Sequence, residues 1–208
     1  MTTRPILFNA LMVRAILAGT KTQTRRTRGL DDVPNHAPDL YNLVRANGGF
    51  ATFKGISESS PEITLRCPYG QPGDRLWVRE TFSISETAPF KDGQTFKKVI
   101  YRADFKSEDD QPFFWKPSIH MFRVDSRIEL EITGVRIGRL NEIAEKDSRA
   151  EGITDGGCLN CGNPEADCGC LNPMPDARDA FINLWESING VGSWAHNPYV
   201  WVLDFKRV

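Results

Sequence analysis

The stretch Ile16-Leu17-Ala18-Gly19-Thr20-Lys21-Thr22-Gln23-Thr24-Arg25-Arg26 sets an amine, three hydroxyls and two guanidiniums directly after a glycine. These are groups that handle protons and hold anions, and behind an apolar helix broken at Gly19 they read as the floor of a pocket. The same residues also fit a solvated basic edge, because β-branched and charged residues alternate in many exposed strands. A second concentration of chemistry is Cys158-x2-Cys161-x6-Cys168-x-Cys170, punctuated by Gly156, Gly157, Gly162 and Gly169. That spacing suits tetrahedral Zn²⁺, since the glycines permit knuckle turns that aim sulfurs at one ion, and a four-thiolate site is closed and therefore structural. Free or partly oxidised cysteines, or an iron–sulfur cluster, are the alternatives. Cys67 stands apart as a structural thiol.

Trp77, Arg79 and Glu80 offer stacking and polar readout of a pyrimidine edge, or else core packing and a strand-edge ion pair. Trp115, Ser118 and His120 lie in an irregular aromatic segment that could form a lid, although a lone histidine is more often a satisfied surface residue. Together with His36 and His196, His120 makes no obvious acid–base pair.

The elements that must position these groups follow from periodicity. Arg4–Phe8 reads as a short strand and Asn9 as the N-cap of a helix over Ala10–Ala18, apolar nearly all round, with Gly19 as its stop. Residues 29–66 are rich in Asp, Asn, Pro, Gly and Ser and are expected to form a long decorated loop with at most a short helix or hairpin. Arg75–Glu80 alternates as a strand with Leu76 and Val78 on one face, and 97–102 forms another. Ile128, Leu130 and Ile132 mark the inward face of a strand continuing through Val135 and Ile137. Asn141 is expected to cap a short helix reaching Ala150-Glu151, with Gly152 as its stop. Ala177, Phe181, Leu184, Trp185 and Ile188 share the apolar face of a helix over Asp176–Ile188, and Tyr199–Phe205 closes the chain as an inner strand.

Composition bounds the function. With 26 basic and 27 acidic residues in 208, the net charge of -1 argues against charge-driven binding to long nucleic acids but leaves a nucleoside-sized ligand open. No apolar run of about 18 residues or signal segment occurs, so the expectation is a cytoplasmic protein without a membrane partner. An odd cysteine count with four in one segment suits a metal clip in a reducing compartment. The element order has no Gly-rich phosphate loop and no regular βαβ alternation, so a small curved sheet or barrel with flanking helices fits best; no organic cofactor is expected.

Four motifs carry a family resemblance: 16–26 as quoted above, Pro-Gly-Asp-Arg-Leu-Trp-Val-Arg-Glu at 72–80, Ala-Glu-Gly-Ile at 150–153 and Asn-Pro-Tyr-Val-Trp-Val at 197–202. They resemble the ASCH domain of the PUA-like superfamily, in particular its larger phage and prophage members. The resemblance implies an α+β fold: a mostly antiparallel β-barrel with flanking helices and a cleft for a nucleobase. One such domain would span 1–208, with insertions at about 29–66 and a zinc-knuckle-like Cys-rich loop at 156–173. Family members are associated with RNA binding, with ribonuclease activity and with hydrolysis of N4-acetylcytidine. By that resemblance Lys21, Thr24 and Glu151 are the expected catalytic set of an amidohydrolase acting on N4-acylated cytosine or cytidine. Arg26, Trp77, Arg79, Glu80, Trp115 and Ser118 are the expected ligand contacts, and RNA is the alternative partner. A zinc clip at Cys158, Cys161, Cys168 and Cys170 would help fix Glu151 at the pocket rim. A regular strand points residues 21 and 24 to opposite faces, so convergence of Lys21, Thr24 and Glu151 requires a bend after Gly19.

Overall fold

The computed structural model describes residues 1–31, 35, 37–86, 97–105, 114–153 and 177–208. Strand β1 (Thr3–Leu7) leads into helix α1 (Ala10–Leu17), and β2 (Gln23–Arg26) follows. Three short strands come next: β3 (Tyr41–Asn47), β4 (Phe50–Gly55) and β5 (Glu62–Arg66). Strand β6 (Arg75–Arg79) precedes the antiparallel pair β7 (Phe82–Glu86) and β8 (Lys97–Tyr101). The long β9 (Glu129–Arg139) runs towards α2 (Glu145–Ala150), and α3 (Ala177–Asn189) and β10 (Tyr199–Arg207) close the chain.

Five strands form one sheet in the order β1-β6-β9-β10-β2, antiparallel except for the β1–β6 pair. The class is α+β with mostly antiparallel strands in open sheets, and strand pairing closes no barrel among the described residues. Its two edge strands are nevertheless linked by a side chain, because the Arg26 guanidinium at the end of β2 donates to the Leu7 carbonyl of β1 at 2.7 Å. Alternation along β10 serves two cores. Tyr199, Trp201, Leu203 and Phe205 pack with Ile6, Leu76, Leu130 and Ile132 on one side, whereas Val200 and Val202 pack under Phe181 and Trp185 of α3 on the other. Burial of both faces explains the unbroken apolar run of this strand.

The structure follows the expected caps at α1. Asn9 accepts the Met12 amide at 2.9 Å and Gly19 takes a φ of 77°, the left-handed geometry that ends the helix. The helix is less buried than its composition suggests: Val13 and Ile16 are buried, while Leu11 is largely exposed.

Two expectations are corrected. Residues 41–66 form a three-stranded antiparallel sheet rather than a loop with at most a hairpin. Its strands are short, and a Gly48-Gly49 turn with both φ values positive joins the first two, so turn residues outweigh periodicity in the sequence. Buried Phe53 ties this sheet to β10 by an edge-to-face contact with Tyr199, ring centroids 4.9 Å apart. Asn141 does not cap α2, which begins after Ala144 without a side-chain cap; the Asn141 amide donates to the Asn197 side chain instead.

Asp74 pins the start of β6 to the N-terminus. Its carboxylate accepts the Thr2 amide at 2.7 Å, the Arg4 guanidinium at 3.1 Å and the Gln71 amide at 3.3 Å. These donors, the Thr2 amide foremost, hold it well below the ordinary carboxylate value of 3.8. A depressed folded-state pKa means that the contribution is complete above the unfolded value and is lost as pH falls through the folded one. Asp74→Asn is therefore expected to cost about 2 kcal/mol at neutral pH, with the gap to the parent protein narrowing below about pH 4. Urea unfolding of both proteins across that pH range checks it.

Candidate functional site

Past Gly19 the chain folds back on α1, with the amides of Thr20 and Lys21 both reaching the Ala15 carbonyl. Lys21 then forms a β-bridge with Glu151 at the end of α2, and the Thr22 amide donates to the Ala150 carbonyl at 2.8 Å. Gly152 sits at φ 84°, a turn just after α2 that lies against Ala15 of α1 and Lys21. This junction sets Lys21 Nζ 2.5 Å from Glu151 Oε2 and 2.8 Å from the Glu151 carbonyl. The other carboxylate oxygen, Oε1, accepts from Arg25 at 3.2 Å. One carboxylate thus holds two cations, and all three side chains are buried.

The network continues outward. Arg25 donates to Gln23 Oε1 at 2.6 Å and pairs with Asp147 at 3.3 Å, while Gln23 Nε2 reaches Asp204 at 2.7 Å and Asp147 at 3.2 Å. Arg136 pairs with Asp147 at 3.0 Å. Burial lowers the pKa of Lys21 from its ordinary value, an effect that the attraction of Glu151 only partly offsets. Arg25 and Arg26 are lowered for the same leading reason. Burial would raise Asp147, but the hydrogen bond from Gln23 and the charges of Arg136 and Arg25 outweigh it and leave its pKa low.

Register explains how β2 presents its side chains. Arg25 lies opposite Val202 and faces α3, where its guanidinium stands 5.8 Å from the Phe181 ring. Thr24 and Arg26 lie opposite Leu203 and Trp201 and face the main core, with Arg26 5.0 Å from the Phe8 ring. The outer edge of β2 carries no partner strand among the described residues. A cavity of about 220 Å³ runs there, lined by Thr24, Arg25, Arg26, Arg28, Tyr69 and Glu151, with Met12 of α1 and Leu184 of α3 among its walls.

The expected catalytic set is therefore gathered in one place with a specific division. Thr24 and Glu151 line the cavity, whereas Lys21 is sealed behind Glu151 with no exposed side-chain surface. The bend follows Gly19, and Glu151 joins Lys21 to the rest. Of the expected ligand contacts, Arg26 lines the same cavity.

The others lie elsewhere. Both oxygens of Glu80 are taken by a fork from Arg127, at 2.9 and 3.0 Å, and burial raises the pKa of Glu80. Arg79 stacks over Trp77 at 5.4 Å and donates to the Ser118 carbonyl at 3.1 Å. Trp115 packs edge-on against Phe105. His120 lines a separate cavity beside Arg79 and Lys116, His196 Nδ1 contacts the Gly192 carbonyl, and His36 lies outside the described residues. Cys158, Cys161, Cys168 and Cys170 also lie outside the described residues, and Cys67 is a buried free thiol.

Gln23, Asp147, Asp204 and Arg136 support the site without having been expected there. A signal existed for two of them, since Gln23 and Arg25 alternate on one side of the strand and Asp147 precedes Glu151 by four residues, one helical turn. Asp204 and Arg136 reach the network only through the pairing of β10 with β2 and β9, which local sequence does not display.

Comparison of the chain with protein-family models, with curated proteins and with solved structures returned no match. No helix among the described residues is long and apolar enough to cross a membrane.

A β-carbon at Gly152 would stand 2.8 Å from the Ala15 β-carbon and 2.9 Å from that of Lys21, on a backbone with positive φ. Gly152→Ala is expected to destabilise the protein by about 2–4 kcal/mol, combining overpacking with left-handed strain. The denaturation midpoint measures this, and an unshifted midpoint contradicts the tight α1–α2 junction.

Proposed function

We propose that the chain is an ASCH-type, PUA-like amidohydrolase that removes an acyl group from N4-acylated cytosine or cytidine. The observation that carries the proposal is the pairing of a buried amine with a carboxylate beside one cavity: Lys21 is bonded to Glu151, and Glu151 lines the space that Thr24 also lines. The fold reading rests on the sheet whose open edges are drawn together by Arg26 and Leu7, with α1 joining the two edge strands. The sequence spacing of the four clustered cysteines supports a structural Zn²⁺ clip.

In this mechanism an oxygen nucleophile, the Thr24 hydroxyl or a water it holds, attacks the acyl carbon. Its proton passes to the Lys21–Glu151 pair through Glu151, the member that faces the cavity. When the C–N bond breaks, the pair returns a proton to the exocyclic nitrogen, so one water is consumed and a free amine and a carboxylate leave. Arg25 on Oε1 keeps the carboxylate oriented, with Oε2 held towards Lys21. The outer edge of β2 carries no partner strand among the described residues, and backbone N–H groups along it would serve the oxyanion.

A non-catalytic module that captures RNA or a modified nucleotide is the second reading, favoured by the sealing of Lys21 and the arginines on the cavity wall. Incubation with N4-acetylcytidine separates the two. The expected outcome is release of cytidine and acetate, with Lys21→Ala and Glu151→Gln each lowering kcat by about 10²–10⁴-fold. Thr24→Ser is expected to retain turnover that Thr24→Val loses. The lowered pKa of Lys21 places the acid limb of the rate profile below the ordinary lysine value of 10.5, with activity rising with pH as the amine deprotonates. Undiminished turnover in folded Lys21→Ala protein sinks the catalytic assignment, and tight RNA binding with no turnover establishes the second reading.

A further inference from the structure

Among the described residues, cations outnumber carboxylates around the cavity. Lys21 and Arg25 share Glu151, and Asp147 completes Arg25. Arg26 and Arg28 have no carboxylate partner among the described residues, although both line the cavity. Arg26 is half-buried with its Nε enclosed, so burial removes part of the solvation that an unpaired guanidinium would otherwise keep. Among the described residues its only hydrogen-bond acceptor is the Leu7 carbonyl, and its buried Nε has no partner there. Arg28 is exposed at the mouth, next to Thr27 on the same wall. Tyr69 adds a hydroxyl there and feels both arginines electrostatically, which moderates the rise in its pKa caused by burial.

A wall bearing two guanidiniums without carboxylate partners among the described residues, one half-buried and one at the mouth, favours an anion. Phosphate suits it better than carboxylate, since three oxygens can engage two guanidiniums and Met12 and Leu184 add apolar lining for an attached base. A volume of about 220 Å³ falls below the ~300–1,000 Å³ common for drug-sized ligands, so the cavity has room for no more than one nucleotide, with its phosphate at the exposed mouth.

We propose that the cavity along β2 is a mononucleotide site, in which Arg26 and Arg28 hold the phosphate of a cytidine 5′-phosphate while the base lies towards Thr24 and Glu151. This deepens the acylcytidine reading by making the substrate a phosphorylated nucleoside, and its base identity rests on that reading. The phosphate could come from a free nucleotide or from an RNA backbone, and the single-nucleotide volume favours the free form.

Calorimetric titration of the full-length protein with cytidine, with cytidine 5′-monophosphate and with an unphosphorylated cytidine trinucleotide tests this directly. The monophosphate is expected to bind about 10- to 100-fold more tightly than cytidine. That advantage should shrink as salt rises from about 0.05 to about 0.5 M, and Arg28→Gln, at an exposed position, should remove most of it. Equal affinity for cytidine and its monophosphate overturns the proposal, as does binding of neither or an advantage unaffected by Arg28→Gln. Trinucleotide binding as tight as that of the monophosphate assigns the phosphate to an RNA backbone and overturns the mononucleotide site. Turnover of N4-acetylcytidine without a phosphate preference removes this inference alone, whereas a phosphate preference without turnover supports it and removes the hydrolase reading alone.

Discussion

The Glu151 carboxylate is the constraint on which the rest of the site depends. Its two oxygens hold Lys21 and Arg25, two cations that burial would otherwise make unfavourable, and it does so from the end of a six-residue helix. Breaking a buried pair of this kind by removing one partner typically costs about 3–5 kcal/mol, because the remaining charge is left without compensation. Here the remaining charge would be two charges. The same bond network fixes the turn after Gly19, the start of β2 and the position of α2 relative to α1, so local geometry and local electrostatics are set together.

Packing makes the arrangement possible. β10 is buried on both faces, and its register with β2 sends Thr24 and Arg26 to one side and Gln23 and Arg25 to the other. As β2 has no further partner strand among the described residues, side chains from both faces reach a cavity along its outer edge. A central strand in that position would have its backbone groups paired and no such opening. The edge position of a short strand is thus what converts a polar stripe in the sequence into a wall that can contact a ligand.

Much of this was legible before the structure. Ile128, Leu130 and Ile132 announced β9, the apolar run 199–205 announced an inner strand, and Asn9 with Gly19 bounded α1. Lys21, Thr24 and Glu151 were singled out by a family resemblance; the structure pairs Lys21 with Glu151 and puts Thr24 in the lining of the cavity that Glu151 also lines. Residues 41–66 were not legible, since Gly48, Gly49 and short polar-faced strands hide a sheet whose stability comes from Phe53 and its distant contact Tyr199. Glu80 illustrates a different limit: its nearness in sequence to Trp77 suggested a ligand contact, but Arg127, remote in sequence, claims both of its oxygens. Pairings between distant segments decided these cases, and no local pattern encodes them.

The central claim is that Lys21 and Glu151 act as one coupled unit. A double-mutant cycle with Lys21→Met, Glu151→Gln and the double variant, read as unfolding free energies in urea, measures that coupling without reference to any substrate. The account predicts an interaction energy of at least about 2 kcal/mol, with the double variant more stable than the sum of the single losses implies. Additivity to within about 0.5 kcal/mol would contradict it.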